Sequence, residues 1–249
     1  MINLKYDINT INYKRDQIKI RFFEESHNIK SDDFKSISER DLYLLYNLYD
    51  EVFLNSWFKN NFKGKIKLTL SRQLTRAAGN TRTSKNIAFI KPEDLEFEIK
   101  ISINHLMNFD KTARDKFVGG VKVNNKLESL MLVFEHELCH VIEFIYYKKS
   151  SCNKAIFKNL IYSLFGQTES THKLVTRNEA NFQDYGLLPG NYVIFEYSGE
   201  KLEGLITKIN KRAVVMSPSN NGKYIDKLGQ RYTKYYIPLC NIIKKQINI

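Results

Sequence analysis

Apolar residues recur at intervals of three and four over residues 126–147. Leu127, Leu130, Met131, Phe134, Leu138, Val141, Ile142 and Ile145 mark one face of a buried helix. A second amphipathic helix is expected from residue 38 to about residue 60. Ser38 and Asp41 resemble a capping box at its start, and its stripe is Leu42, Leu45, Leu48, Tyr49, Val52, Phe53 and Trp57. Gly64 is expected to close it. Residues 154–164 predict a third helix, with Ile156, Phe157, Leu160 and Ile161 on its apolar side. Alternation with period two marks strands at 65–71 and 97–103, with a further strand candidate at 86–90 before the turn-like Lys91-Pro92-Glu93-Asp94.

The segments between are less regular. Residues 1–37 are polar around an apolar cluster at 18–23, and predict a short strand or helix packed loosely on the domain. Residues 72–85 read as a polar loop in which Ala77-Ala78-Gly79 passes close to another group. His105 falls on a short helix, in a packing role, and residues 109–125, with Gly119-Gly120 and Asn124-Asn125, read as a loop. Residues 173–190 lack clean periodicity and end in Leu188-Pro189-Gly190, the expected domain boundary. Beyond it short strands follow at 191–197, 202–209, 213–216 and 232–237, with turns at Ser198-Gly199 and Ser219-Asn220-Asn221-Gly222. The pattern predicts an α+β chain: an extension over 1–37, a mixed-sheet domain over 38–180 and a small all-β SH3-like barrel over 187–249.

The long helix carries His136-Glu137-Leu138-Cys139-His140, an H-E-x-x-H motif. Histidines four apart lie one turn apart on one helical face, so both imidazoles can reach a single metal ion. Glu137 then stands beside the metal, where it can take a proton from a water. This spacing points to a zinc hydrolase; the alternative is a chance match in ordinary core or surface histidines.

Composition narrows the partners. The 249 residues carry a formal net charge of +12, which favours a polyanion such as nucleic acid. Residues 187–249 hold ten Lys or Arg against four Asp or Glu. There Lys208, Lys211, Arg212, Lys223, Arg231 and Lys234 interleave with Tyr192, Tyr224, Tyr232, Tyr235 and Tyr236. Cations between stacking rings suit single-stranded nucleic acid, with Lys208, Lys211, Arg212 and Lys234 as candidate contacts. In the plainer alternative the tyrosines fill a small core and the lysines are solvated. Cys139, Cys152 and Cys240 form no C-x-x-C pair, which excludes a disulfide framework and a cysteine-rich zinc ribbon. No apolar run could span a bilayer, and the N-terminus lacks signal-peptide features, so an intracellular, cytoplasmic protein with no membrane partner is expected.

With these features together, residues 40–175 resemble the SprT-like (Spartan-type) metalloprotease family. The resemblance rests on the H-E-L-C-H helix, on Ser71-Arg72-Gln73-Leu74-Thr75-Arg76-Ala77-Ala78-Gly79, on Ile101-Ser102-Ile103, and on Phe157-Lys158 within residues 155–166. Residues 204–215 and 232–239 resemble a barrel appended to some relatives. The resemblance implies a zincin-like fold, a Zn2+ cofactor held by His136 and His140 with Glu137 as general base, and DNA-dependent cleavage of proteins bound or crosslinked to DNA, single-stranded or damaged. One departure concerns the third ligand. The family uses the histidine of H-G-x-x-F, and counting back four from Phe157 gives Asn153, a poor ligand beside Cys152, a good one. Gln167 stands where relatives often carry the histidine of F-G-H-T. The third-ligand candidates are therefore, in order, Cys152, His172 and Glu169. A different class also stays open: a non-catalytic DNA-binding protein with a structural or degenerate metal site.

Overall fold

The computed structural model describes residues 4–246. The expected extension and barrel therefore each have an end, residues 1–3 and 247–249, outside the described residues. The protein is a mixed α/β chain that divides into two compact units, Met1–Val175 and Thr176–Ile249.

The first unit opens with α1 (Ile8–Glu25), capped by the Asp7 side chain on the backbone N–H groups of Asn9 and Thr10. It buries Ile11, Ile18 and Phe22 in the main core, so residues 1–37 are not a loosely packed extension. Each of these side chains stabilises by about 1.5–3 kcal/mol. Next comes α2 (Glu39–Val52), whose Ser38–Asp41 capping box is fully formed. The helix expected to reach residue 60 breaks at left-handed Asn55 and Ser56 and resumes as the short α3 (Trp57–Asn61). Gly64 does not cap it. A Cβ there would lie 2.1 Å from the Leu95 carbonyl oxygen, so this glycine serves close chain approach.

A three-stranded mixed sheet follows, built from β1 (Lys65–Ser71), β2 (Gly79–Thr83) and β3 (Glu96–Ser102) in the order β1-β3-β2. The central strand runs parallel to β1 and antiparallel to β2, and it buries Phe97, Ile99 and Ile101. The expected strand at 86–90 is a single 3-10 turn over Ile87–Phe89. The expected polar loop at 72–85 instead contains β2, whose Gly-Asn-Thr-Arg-Thr sequence offers no apolar alternation to detect. After α4 (Ile103–Met107), the expected loop at 109–125 holds a hairpin of β4 (Lys116–Val118) and β5 (Val121–Val123), turned by Gly119 and Gly120, both at positive φ.

The long helix α5 (Lys126–Tyr147) is the centre of the unit and packs against β2, β3 and α6 (Ala155–Phe165). Of the apolar side expected for the latter, Phe157 and Ile161 are buried, but Ile156 is 44 % exposed, and Leu164 and Phe165 complete the buried face. Burial on most sides of α5 leaves its polar residues in need of partners. Glu135, fully buried, receives a bidentate ion pair from Arg15 of α1 (2.8 and 2.6 Å), the Tyr49 hydroxyl (2.9 Å) and the Gln167 amide (2.9 Å). Arg15 also donates to the Phe165 carbonyl at 2.7 Å. Removing one partner of such a pair strands the other in a dry core. Arg15→Ala is therefore expected to destabilise the protein by about 3–5 kcal/mol, read as a lower denaturation midpoint at unchanged m-value.

The second unit begins with α7 (Arg177–Tyr185), capped by a Thr176–Glu179 capping box. The division thus falls ahead of Leu188-Pro189-Gly190. The irregular stretch at 173–190 carries a helix that its T-x-x-E signature announces and its polar sequence hides. Then β6 (Tyr192–Tyr197), β7 (Glu200–Ile209), β8 (Arg212–Pro218), β9 (Tyr224–Ile225), β10 (Arg231–Pro238) and β11 (Ile242–Gln246) form a six-stranded antiparallel sheet in the order β11-β6-β7-β8-β10-β9. The core on one face is Val193, Phe195, Ile206, Ile209, Ala213, Val215 and Ile237. Among the described residues no helix is long and apolar enough to cross a membrane.

Candidate metal centre and basic sheet face

The four-residue spacing on α5 brings the Nε2 atoms of His136 and His140 to 3.1 Å from one another. Phe157 of α6 packs against both rings, with centroids 4.9 and 4.4 Å away, and so restricts their rotation. The helix ends at Lys148, whose left-handed conformation turns the chain back. That turn returns Cys152 to the histidines. One ligand atom from each of His136, His140 and Cys152 lies within 4.8 Å of the others, and the three could hold a metal ion.

The other third-ligand candidates are not members of this group of three. His172 lines the same cavity, but its Nδ1 accepts from the Leu174 N–H (3.4 Å) and its ring also hydrogen-bonds the Arg76 backbone. Glu169 is exposed, and its carboxylate accepts from the Thr171 hydroxyl at 3.2 Å. Gln167 faces Glu135 and the Leu132 carbonyl.

The cavity over these residues has a volume of about 310 Å³, and its wall includes Gly79, Thr81, Val118, Val133 and Phe144. Burial pushes the His136 pKa down to about 3, with the neighbouring His140 adding to the effect, and the His140 pKa down to about 4. Both imidazoles are thus neutral near pH 7, with a lone pair available to a cation. Two nitrogens and a thiol are a donor set that suits zinc.

Glu137 is held from the sheet side. The Thr81 hydroxyl of β2 donates to its Oε2 at 2.7 Å, and a Cβ at Gly79 would sit 2.5 Å from its Oε1. Glycine at 79 is therefore what allows the carboxylate to lie against the strand. Burial raises the Glu137 pKa to about 7, partly opposed by the Thr81 hydrogen bonds. A carboxyl poised there can both take and return a proton at neutral pH. Thr81 and the loop serines Ser150 and Ser151 escape sequence reasoning, because each is a small polar residue in a segment without periodicity.

The nucleic-acid candidates sit on the second unit. Strand registers put Lys208, Val214 and Tyr236 in one row across β7, β8 and β10, and Leu205, Met216 and Lys234 in the next. These rows lie on the face opposite the unit's core. Lys234 Nζ lies 4.0 Å from the Tyr224 ring centroid, and Tyr236 is 58 % exposed. Arg212 shares that face by alternation, and Lys211 occupies the turn between β7 and β8. Tyr235, by contrast, packs on Phe195 and belongs with the core.

No protein-family model matches the chain, and no curated protein is significantly similar to it.

Proposed function

We propose that the chain is a SprT-like zinc metalloendopeptidase, intracellular and DNA-associated. On this reading its first unit is a zincin-like catalytic domain, and its second is an SH3-like barrel that binds single-stranded or damaged DNA. Its substrates are proteins bound or crosslinked to DNA. The observation that carries the reading is one cavity that combines the His136, His140 and Cys152 donors with a buried carboxyl of pKa about 7.

A zinc ion held by His136, His140 and Cys152 would supply Lewis acidity, which favours water as a nucleophile near neutral pH and a polarised carbonyl. Glu137 takes the proton from the attacking water and returns it to the departing amine. Thr81 keeps that carboxylate aimed into the cavity. A peptide has a natural docking edge beside it. β2 is the outer strand of its sheet, and the Ser102 N–H bonds the Ala78 carbonyl (2.8 Å), so alternation leaves the backbone groups of Gly79 and Thr81 projecting outward. An extended chain added there as a further strand is recognised through its backbone, which favours many sequences over one. The cations and exposed rings of the second unit give DNA a surface, and tethering substrate and protease to one strand raises their effective concentration.

The test is incubation of the zinc-loaded protein with a DNA-bound protein, with and without single-stranded DNA and a chelator. Degradation that needs the DNA and stops with the chelator is expected. Tight DNA binding with no cleavage under any condition would instead favour a non-catalytic DNA-binding protein.

A further inference from the structure

Glu143 lies one turn beyond His140 on α5 and is only 4 % exposed. Burying a carboxylate is costly unless hydrogen bonds replace its hydration. Here they come from the loop that follows the helix. The Ser150 hydroxyl donates to Glu143 Oε2, and the Ser151 N–H donates to the same oxygen at 3.0 Å. Ser150 Oγ also lies 2.6 Å from Nδ1 of His140.

The proton count fixes the direction of that last bond. A serine hydroxyl has one proton and two lone pairs, and here the proton goes to Glu143. Its oxygen can then only accept from His140, which requires the Nδ1–H tautomer. The lone pair of His140 is thereby placed on Nε2, the atom that lies 3.1 Å from His136 Nε2 within the donor cluster. The bond to the Ser151 N–H anchors the turn one residue before Cys152. A single carboxylate is therefore joined to two of the three donors.

We propose that Glu143 is a positioning residue: through Ser150 it sets the tautomer and orientation of His140, and through the Ser151 backbone it holds the Cys152 loop in reach of the metal. This rests on the reading of His136, His140 and Cys152 as metal ligands. Carboxylates that orient ligating histidines typically contribute 10–100-fold to metal affinity.

The experiment measures zinc affinity by competition with a chromogenic chelator, and the absorption of the cobalt(II)-substituted protein, for wild type, Ser150→Ala, Ser150→Thr and Glu143→Leu, which removes the acceptor oxygen shared by Ser150 and Ser151. Ser150→Ala and Glu143→Leu are expected to lose roughly 10–100-fold in zinc affinity and to shift the cobalt ligand-field bands. Ser150→Thr, which keeps the hydroxyl, should restore both. The double variant should lose no more than the more affected single one, because the residues act in one chain. Metal-free Ser150→Ala should melt somewhat below wild type, because buried Glu143 loses a hydrogen bond, so the cobalt spectrum of the folded variant is the readout that separates positioning from folding. Variants that bind zinc as tightly as wild type, with unchanged cobalt spectra, would overturn the proposal. Wild type that binds no zinc would overturn the metal-site reading itself, and the proposal with it.

Discussion

Glu137→Gln is expected to lower proteolysis by at least about 10³-fold, within the range a general base contributes, while zinc and DNA affinity stay near wild type. The amide has nearly the shape of the carboxyl and can still accept the Thr81 hydroxyl proton, but it cannot take a proton from water. The same variant reports on the carboxyl without any substrate. In the metal-free folded protein the Glu137 pKa is raised to about 7 by burial, against an ordinary value of 4.5. The folded state then keeps a proton that the unfolded chain loses, so this group's contribution to stability falls as pH rises between those values. Over that window the loss reaches about 3 kcal/mol at roughly 1.4 kcal/mol per unit. The histidines titrate in the opposite sense: with pKa values lowered to about 3 and 4, they cost stability as pH falls below about 6.5. Comparing wild type with Glu137→Gln cancels them. Metal-free Glu137→Gln should gain on wild type by up to about 3 kcal/mol as pH rises from about 5 to about 8, measured by denaturant titration. Full proteolysis in the variant would refute the mechanism, and a pH-independent stability difference would refute the raised pKa.

Cys152→Ala is expected to weaken zinc binding by on the order of 3 kcal/mol, roughly 100-fold or more, as loss of one of three ligands requires. Cleavage at limiting zinc should fall with it. His172→Ala should leave zinc affinity unchanged, because that imidazole is engaged by Leu174 and Arg76. Metal analysis of the three proteins decides the point: retention of zinc by Cys152→Ala together with its loss in His172→Ala would reverse the assignment. The cysteine is half-buried in the cavity wall, with its sulfur in reach of both histidine nitrogens.

Neither of these two candidates is tied to the H-E-x-x-H motif by the linear sequence. Cys152 and His172 are 12 and 32 residues beyond His140, and no periodicity connects either to the motif. Cys152 is brought back by a left-handed residue at Lys148 and a loop pinned by Glu143. His172 is fixed instead by an isolated bridge to Val118 and its own hydrogen bonds. Such outcomes depend on turn geometry and on polar contacts between distant segments, which a linear pattern does not encode.

What the sequence determined by itself was whatever repeats with the period of its own backbone. The helix at 126–147, the capping box at Ser38, the strand at 65–71 and the placing of His136 and His140 on one face follow from intervals of two, three and four residues. Tertiary structure decided the rest. β2 has no apolar alternation because it is an edge strand, yet it supplies Thr81 and Gly79 to the Glu137 carboxyl. Residues 1–37 look like a polar extension because α1 meets the core through only three buried apolar side chains and through Arg15, whose partner Glu135 lies on a distant helix. The physical reason is common to both. Local periodicity reports which side of an element avoids water, whereas a polar residue's partner is set by where the core has brought another segment of chain.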